Sequence, residues 1–345
     1  MRQYELKMKI DSNSLNVEPI IGMKEIKMEY ENFKIVVILP AYNEEQTIAD
    51  TIKDFYSEIP EAEIWVINNR SKDNTEIIAN NTIKELRCKG GVMNENRPGK
   101  GNALRHAFYE IDADIYILSD ADMTYPAHHV HDLIAPIISN KADMVVGDRH
   151  SSGHYANENK RKFHNFGNDL VKNLVNKLFK GNLADIMSGY RALNKRFVKS
   201  YPVLVEGFEI ETDMTLHALD KRFRITEVSV DYKDRPEGSF SKLNTFKDGF
   251  KVLNTISSIL RYYKPLTFFG LASFIFFILG LISAIPVLQD WIKSEYIYHV
   301  PLAILATGLE MVSLILMSIG LILDSINHQD KRNFELSNLS KLKRQ

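Results

Sequence analysis

The chain has 345 residues, with 43 basic and 44 acidic side chains. That length allows one large domain or two smaller ones, and the charge balance excludes bulk nucleic-acid binding. A single cysteine, Cys88, excludes an internal disulfide framework and suits a globular part facing the cytosol. The opening stretch MRQYELKMKIDSNSLNVEP carries no apolar run of signal-peptide length, so secretion is not expected.

Residues 1–32 show no strong period and form an N-terminal extension. From residue 33 to 243, short β-branched runs alternate with helical stretches. KIVVILP has the pattern of a buried strand, and EEQTIADTIKDFY that of a helix; EIWVIN is the next strand. A helix follows near Asp73, where Asp73 and Glu76 have capping-box spacing. KGNALRHAFYEI then reads as a helix, with ADIYILSD and ADMVVGD as further strands. Strands spaced by helices of this length imply a three-layer α/β sandwich around a mostly parallel sheet. In such sheets ligands lie beyond the carboxyl ends of the strands. Polar residues gather there: Asn43 and Glu44, Asn68 and Asn69, Asp120 and Asp122, Asp148 and Arg149. The histidines of PAHHVHDL (His128, His129, His131) have no spaced partner that points to zinc and read as surface residues at a helix start.

Residues 244–265 place Phe246, Phe250, Leu253, Ile256 and Leu260 at helical spacing, with Lys247, Lys251 and Arg261 on other faces. Such an amphipathic helix either lies in the lipid headgroup region or packs on its own domain. Residues 266–288 then hold 23 positions without a charge. At ~1.5 Å per residue the run spans roughly 35 Å, enough for a ~30 Å hydrocarbon core. Residues 300–323 form a second run broken only by Glu310, so 266–323 is expected to be a transmembrane hairpin. Its connecting loop holds one basic residue, Lys293, whereas Lys247, Lys251, Arg261 and Lys264 precede it and five basic residues follow in the tail 324–345. That bias puts the globular domain and both termini on the cytoplasmic side of a multi-pass cell-membrane protein. Glu310 is costly in lipid and is expected to face the other helix or a neighbouring subunit, a setting for self-association through the hairpin.

No G-x-G-x-x-G follows the first strand, and no G-x-x-x-x-G-K-[ST] occurs, so a dinucleotide dehydrogenase and a P-loop nucleotidase are disfavoured. By itself the pair Asp120/Asp122 either clamps a metal ion or closes a strand; residues two apart on a strand share a side, so both carboxylates can address one ion. In chain order the strand-end motifs are ILPAYNEEQTI, VINNRSKDNT, RPGKGNAL, LSDADMTYP, VVGDRH, DIMSGYRALNKRF, GFEIETDM and VDYKDRPEGSFSKL. This series, spanning about residues 34–243, resembles the family 2 glycosyltransferases of GT-A fold. Within them it is most similar to the polyisoprenyl-phosphate branch, such as dolichyl-phosphate mannose and glucose synthases.

The resemblance implies a nucleotide-sugar donor, UDP- or GDP-hexose, and a divalent cation, Mg2+ or Mn2+. It implies that Asp122 binds the metal directly and that Asp120 addresses the donor, with the nucleoside near Pro40, Ala41, Tyr42 and Glu44. Where the family carries a second aspartate this chain has Asn69, which leaves the base open. Asp73 is either a helix cap or a ligand, and Lys100 either neutralises donor phosphate or is an exposed turn lysine. An acceptor phosphate is ionised at neutral pH and needs cations more than a base. Arg149, Arg161, Arg235 and Lys242 are the candidates, ahead of Arg191; the last two fall in RPEGSFSKL, which resembles the family's lipid-phosphate loop. Glu211 serves if a base or sugar contact is needed, and is otherwise an acid at a helix start.

The expected function is metal-dependent, inverting transfer of a hexose to a membrane polyprenyl phosphate, undecaprenyl or dolichyl, at the cytoplasmic face. The rival enzyme reading has a glycan or lipid-linked saccharide hydroxyl as acceptor and requires Glu211 as base. A catalytically degenerate membrane scaffold is the third reading, and Asn69 is the residue that keeps it open.

Overall fold

The computed structural model describes residues 32–150, 162–207, 209–233 and 245–342. Most of the N-terminal extension, together with Arg161, Arg235 and Lys242, lies outside the described residues.

Seven strands make one sheet: β1 (Ile35–Ala41), β2 (Glu63–Asn68), β3 (Lys89–Asn94), β4 (Ile115–Leu118), β5 (Met144–Asp148), β6 (Arg191–Asn194) and β7 (Ile225–Ser229). Their spatial order is β3-β2-β1-β4-β6-β5-β7. All pairings are parallel except those of β6, which runs antiparallel between β4 and β5. The helices are α1 (Ile48–Glu58), α2 (Thr75–Leu86), α3 (Lys100–Glu110), α4 (Val130–Ile138), α5 (Lys162–Phe179), α6 (Lys195–Val198), α7 (Ile210–Asp220), α8 (Thr245–Tyr263), α9 (Pro265–Ser294) and α10 (Val300–Leu342). The α/β sandwich with a mostly parallel sheet is thus present. The antiparallel β6 is the departure from simple strand–helix alternation.

Alternation along the strands explains the layers. In β1 the side chains of Ile35, Val37 and Leu39 point to one face, where they meet Ile48, Ile52 and Phe55 of α1. Val36 and Ile38 point to the other, against Leu104, Ala107 and Phe108 of α3 and Ile210 and Met214 of α7. Burial on both faces is why these strands read as nearly continuous apolar runs. The reversed β6 has a functional consequence. Because it enters the sheet from the opposite end, the loop before it emerges at the edge where β1, β2, β4 and β5 finish.

A smaller cluster joins the domain to its helical extension. Ile256 and Ile259 of α8 pack with Val171 and Val175 of α5, Ile186, and Leu216 of α7. This part of the amphipathic helix therefore lies on its own domain, while Tyr262 beside it is 64% exposed. Helices α9 and α10 follow as an antiparallel pair, each long and apolar enough to cross a membrane, and only 11% of either apolar window is buried. Helices with that little burial are not the core of a soluble protein. Ser273 and Ser313 bond across the pair, each hydroxyl donating to the other's backbone carbonyl at 2.9 and 3.0 Å. Glu310 faces the partner helix, its carboxylate lying against Gly280, where a Cβ would come within 2.5 Å of Oε1. Residues 324–342 continue α10 as one unbroken helix.

Candidate active site

The first three parallel strand ends build a polar edge whose side chains hold one another. Asn69 follows β2, and its amide is used on both sides. Nδ2 donates to the Arg97 carbonyl at 2.7 Å, and Oδ1 accepts from Gly99 N–H at 2.7 Å. It thereby fixes the turn that starts α3, where Gly99 has φ +114°, a region open to glycine at no steric cost. Asp73 is tied into the same edge: it accepts from Thr75 N–H at 3.1 Å and from Glu45 N–H at 3.2 Å. These contacts tie the start of α2 to the first loop. The residue at the cap position is Asn74, without a side-chain cap bond, and Glu76 accepts from Asn68 and Asn94, so the expected capping box is not formed. Pro40 and Ala41 end β1 beside Ile67 and Asn68. Tyr42 is 46% exposed at the rim, and Glu44 accepts from Thr47 Oγ1 at 3.1 Å.

The Asp120–Asp122 segment follows β4. Its middle residue is gripped by α1: the Ala121 carbonyl accepts from Thr47 Oγ1 at 2.8 Å and Thr51 Oγ1 at 3.2 Å. Asp122 is 3% exposed and accepts from Thr124 Oγ1 at 2.6 Å. On the other side, Lys100 opens α3 and places Nζ 2.5 Å from Asp120 Oδ1 and 2.5 Å from Glu211 Oε1 of α7. Its side chain is 10% exposed, so it is not an exposed turn lysine. Burial pulls its pKa down, but the two carboxylates outweigh this and hold the ammonium protonated well above the usual range. Three residues far apart in sequence thus meet as a carboxylate–ammonium–carboxylate row.

The loop before β6 closes over that row. A Cβ on Gly189 would lie 2.9 Å from Asp120 Oδ2 and 3.1 Å from Lys100 Nζ, so only glycine fits without displacing the pair. Its N–H donates to Tyr125 Oη at 3.1 Å. Arg191 is wholly buried and spent on the loop itself, donating to the Ser188 and Ile186 carbonyls and to Thr215 Oγ1. Its role in the structure is to brace the loop. Arg149, at the end of β5, donates Nε and Nη2 to Asp185 at 2.6 and 3.0 Å and lies 5.6 Å from the Tyr232 ring centre. Burial pushes the Asp185 carboxyl up, yet Arg149 overrides this and keeps its pKa below the usual value.

Asp185, Gly189 and Tyr125 were not singled out from sequence. Asp185 heads the motif DIMSGYR, so the motif was visible while the residue that pairs with Arg149 was not. The structure brings Lys100, Asp120 and Glu211 together and places Arg149 at the end of β5, separated from β4 by β6. For Arg161, Arg235 and Lys242 the described residues give no position. Asp120 and Asp122 present hard oxygen donors on one turn, a set chemically suited to Mg2+ or Mn2+. The described residues also include one His/Asp group compact enough for a metal: His128, His129 and Asp231, with ligand atoms within 4.8 Å. There the Asp231 backbone N–H already donates to His129 Nε2 at 3.0 Å, and His131 instead contacts Glu58 at 3.3 Å.

A parallel sheet with one reversed strand, polar strand ends and an acidic–basic row at its edge defines a GT-A-like transferase fold. A glucosyl-3-phosphoglycerate synthase from Mycobacterium tuberculosis, solved with Mn2+, UDP and phosphoglyceric acid, shares it with TM-score 0.53 and 21% identity, over 70% of this chain and 83% of that one. Residues 36–201 match the model of the family described as Glycosyl transferase family 2. The chain belongs to that family and is a glycosyltransferase. Relatives include Protein RfbJ of Shigella flexneri, 41% identical over 36% of this chain and 92% of that protein. Glycosyltransferase AglJ of Haloferax volcanii is 29% identical over 88% of this chain and 98% of its own length. An undecaprenyl-phosphate mannosyltransferase of Micrococcus luteus is 26% identical over 64% and 92%.

Proposed function

We propose that this glycosyltransferase moves a hexose from a nucleotide-sugar donor to a polyprenyl phosphate, with inversion, at the cytoplasmic face of a membrane. The observation that carries the reading is the Lys100–Asp120–Glu211 row at the sheet edge in a chain that also bears two long helices 11% buried. One feature serves an anionic leaving group, and the other brings the enzyme to a lipid. The mannosyltransferase of Micrococcus luteus, which aligns over 92% of its length and whose name specifies undecaprenyl phosphate, supports the acceptor class.

In this reading the nucleoside lies along Pro40, Ala41, Tyr42 and Glu44. Asn69 contributes indirectly, by fixing the turn that delivers Lys100. Asp122, with Asp120, would hold a divalent cation, which supplies positive charge against the donor diphosphate. Lys100 adds a permanent cation beside Asp120, where leaving-group charge develops. Glu211 orients Lys100 and stands close enough to the row to meet the sugar. The acceptor phosphate oxygen attacks the anomeric carbon in one displacement as the nucleoside diphosphate departs. That phosphate is already ionised and requires no general base. Arg149, aimed by Asp185, lowers the repulsion between the two anionic reactants, and we assign Arg161, Arg235 and Lys242 to the same task. The basic residues flanking the hairpin favour cytoplasmic placement of the catalytic domain and both termini.

The test is incubation of purified full-length protein with labelled UDP- and GDP-hexoses and undecaprenyl or dolichyl phosphate, with and without a chelator. Label extractable into organic solvent, and lost with the chelator, is the expected result. Transfer to an oligosaccharide or saccharide-lipid hydroxyl, with none to any polyprenyl phosphate, would overturn the acceptor assignment. It would also move attention to Glu211 as a base.

A further inference from the structure

Helix α10 is far longer than a bilayer demands. Its 43 residues extend roughly 65 Å, against about 20 residues needed to cross the hydrocarbon. The surplus turns run along the catalytic domain. Asp330 and Lys331 meet the end of α7, where the same dipeptide, Asp220–Lys221, faces them in the opposite sense. Lys331 Nζ lies 2.6 Å from Asp220 Oδ1, and Lys221 Nζ pairs with Asp330. Lys221 also sits 3.4 Å from Asp220 Oδ2 and 5.5 Å from the Phe334 ring centre. Phe334 packs edge-on against His217 and Phe223.

The Asp220 carboxylate is 3% exposed and the Lys221 side chain 10%, so each crossed pair has one member out of solvent, although Asp330 is 66% exposed. A slip of one residue along α10 would set Lys331 against Lys221, so the crossed pairs specify register as well as contact. The other end of α7 is held by the end of α8, immediately before α9 begins. Tyr263, the last residue of α8, donates to Asp213 at 3.3 Å, and its carbonyl accepts from Asn327 of α10 at 3.1 Å. Helix α7 is the one that carries Glu211 into the pocket. A domain joined to a membrane anchor by one stretch of chain is free to swing about it. A second, register-specific contact removes that freedom.

We infer that the crossed Asp–Lys pairs, seated on Phe334, form a clasp that sets the catalytic pocket at a fixed height and orientation over an acceptor embedded in the bilayer. The inference rests on the membrane-acceptor reading above. Asp220, Lys221, Lys331 and Phe334 act here as positioning residues, because none touches the site.

The experiment uses full-length protein in phosphatidylcholine vesicles carrying undecaprenyl phosphate, compared with a water-soluble two-isoprene phosphate offered from solution. Lys331→Glu should lower transfer to the vesicle acceptor about tenfold or more, given the steep cost of misplacing reacting groups. Its rate on the soluble acceptor and its nucleoside diphosphate affinity should stay within about twofold of wild type, since the pocket itself is unaltered. The fourfold swap Asp220→Lys/Lys221→Asp/Asp330→Lys/Lys331→Asp restores both crossed pairs with their charges exchanged and should recover vesicle transfer. Should either reversal fail to fold, Phe334→Ala and Lys331→Met are read by the same ratio of vesicle to soluble activity. Unimpaired vesicle transfer, or equal loss on both acceptors, overturns the clasp while leaving the functional reading standing. A wild-type protein that glycosylates neither phosphate overturns the functional reading and this inference with it.

Discussion

The sheet edge and the helical hairpin solve opposite problems with polar groups. At the sheet edge Asp122, Asp185, Glu211 and Arg191 are each 6% exposed or less. Asp185, Glu211 and Arg191 are held by Arg149, Lys100 and Thr215, distant in sequence, and Asp122 by Thr124. In the hairpin most side chains are apolar and outward-facing, and the polar contact between the two helices is Ser273 with Ser313. Water excluded by packing makes electrostatics at the sheet edge strong and directional. A hairpin in lipid has no hydrophobic drive to associate and relies on close packing. A single substitution should therefore cost much in the first region and little in the second.

The largest effect is expected at Asp122. Asp122→Asn keeps the shape and the Thr124 contact but removes a charge, and should reduce lipid-extractable product about 10³-fold, on the scale of losing a key electrostatic group, with thermal unfolding nearly unchanged. Lys100→Met should act on both stability and activity. It leaves the buried Glu211 and the 30% exposed Asp120 without their shared cation, a loss of at most about 3–5 kcal/mol, the cost of breaking a buried pair on one side. Adding Glu211→Gln should return part of that stability while leaving activity low. Stability recovered in full together with activity would deny Lys100 its place in the chemistry.

A smaller effect is expected at the domain's far face. His217 is 7% exposed among Phe197, Tyr201, Phe223 and Phe334. Burial, with Lys221 nearby, lowers its pKa to about 4 from the ordinary 6.5, while Asp220 and Asp330 oppose the shift. The unfolded imidazole therefore takes up a proton below pH 6.5 that the folded one refuses down to about pH 4. Stability is fully present above that window and declines as pH falls through it, by on the order of 3 kcal/mol at most. His217→Phe should flatten the dependence of the thermal midpoint between these limits. The smallest effect belongs to the hairpin: Ser273→Ala should cost about 0.6 kcal/mol, typical of an interhelical hydrogen bond in a membrane. A loss several times larger, measured by helix association in detergent, would break the contrast between the two regions.

Much of this is legible in the sequence. Period-2 apolar runs flanked by helical stretches give a sheet covered on both faces, and β1, β2, β4 and β5 formed where their runs lie. The two long apolar stretches near the C-terminus became α9 and α10. Less legible were strands with little apolar content: β3 reads KGGVMN and β6 only RALN, too short and too polar for periodicity to register. Lys100 could be an exposed turn lysine or a phosphate partner by sequence, because nothing local indicates that Glu211, more than a hundred residues on, would share it. Arg149 was visible as a strand-end cation, but its pairing with Asp185 depends on the direction of β6. Residues 324–342 looked like a tail because their apolar period is weak, and their helix is sustained by docking on α7.

By itself, then, the sequence determined the apolar strands, the helices between them and the lipid-compatible spans, because these follow from local periodicity and from the cost of burying backbone and charge. It also determined the order of motifs at the strand ends, and hence the family. Only the tertiary structure decided which of those polar residues share a pocket. Reversing β6 delivers Gly189 onto Asp120, and the start of α7 delivers Glu211 onto Lys100. Crossing Asp220–Lys221 with Asp330–Lys331 ties the long apolar helix α10 to the domain that carries the site. Such pairings depend on strand direction and helix register over long sequence separations, and burial then makes each of them strong.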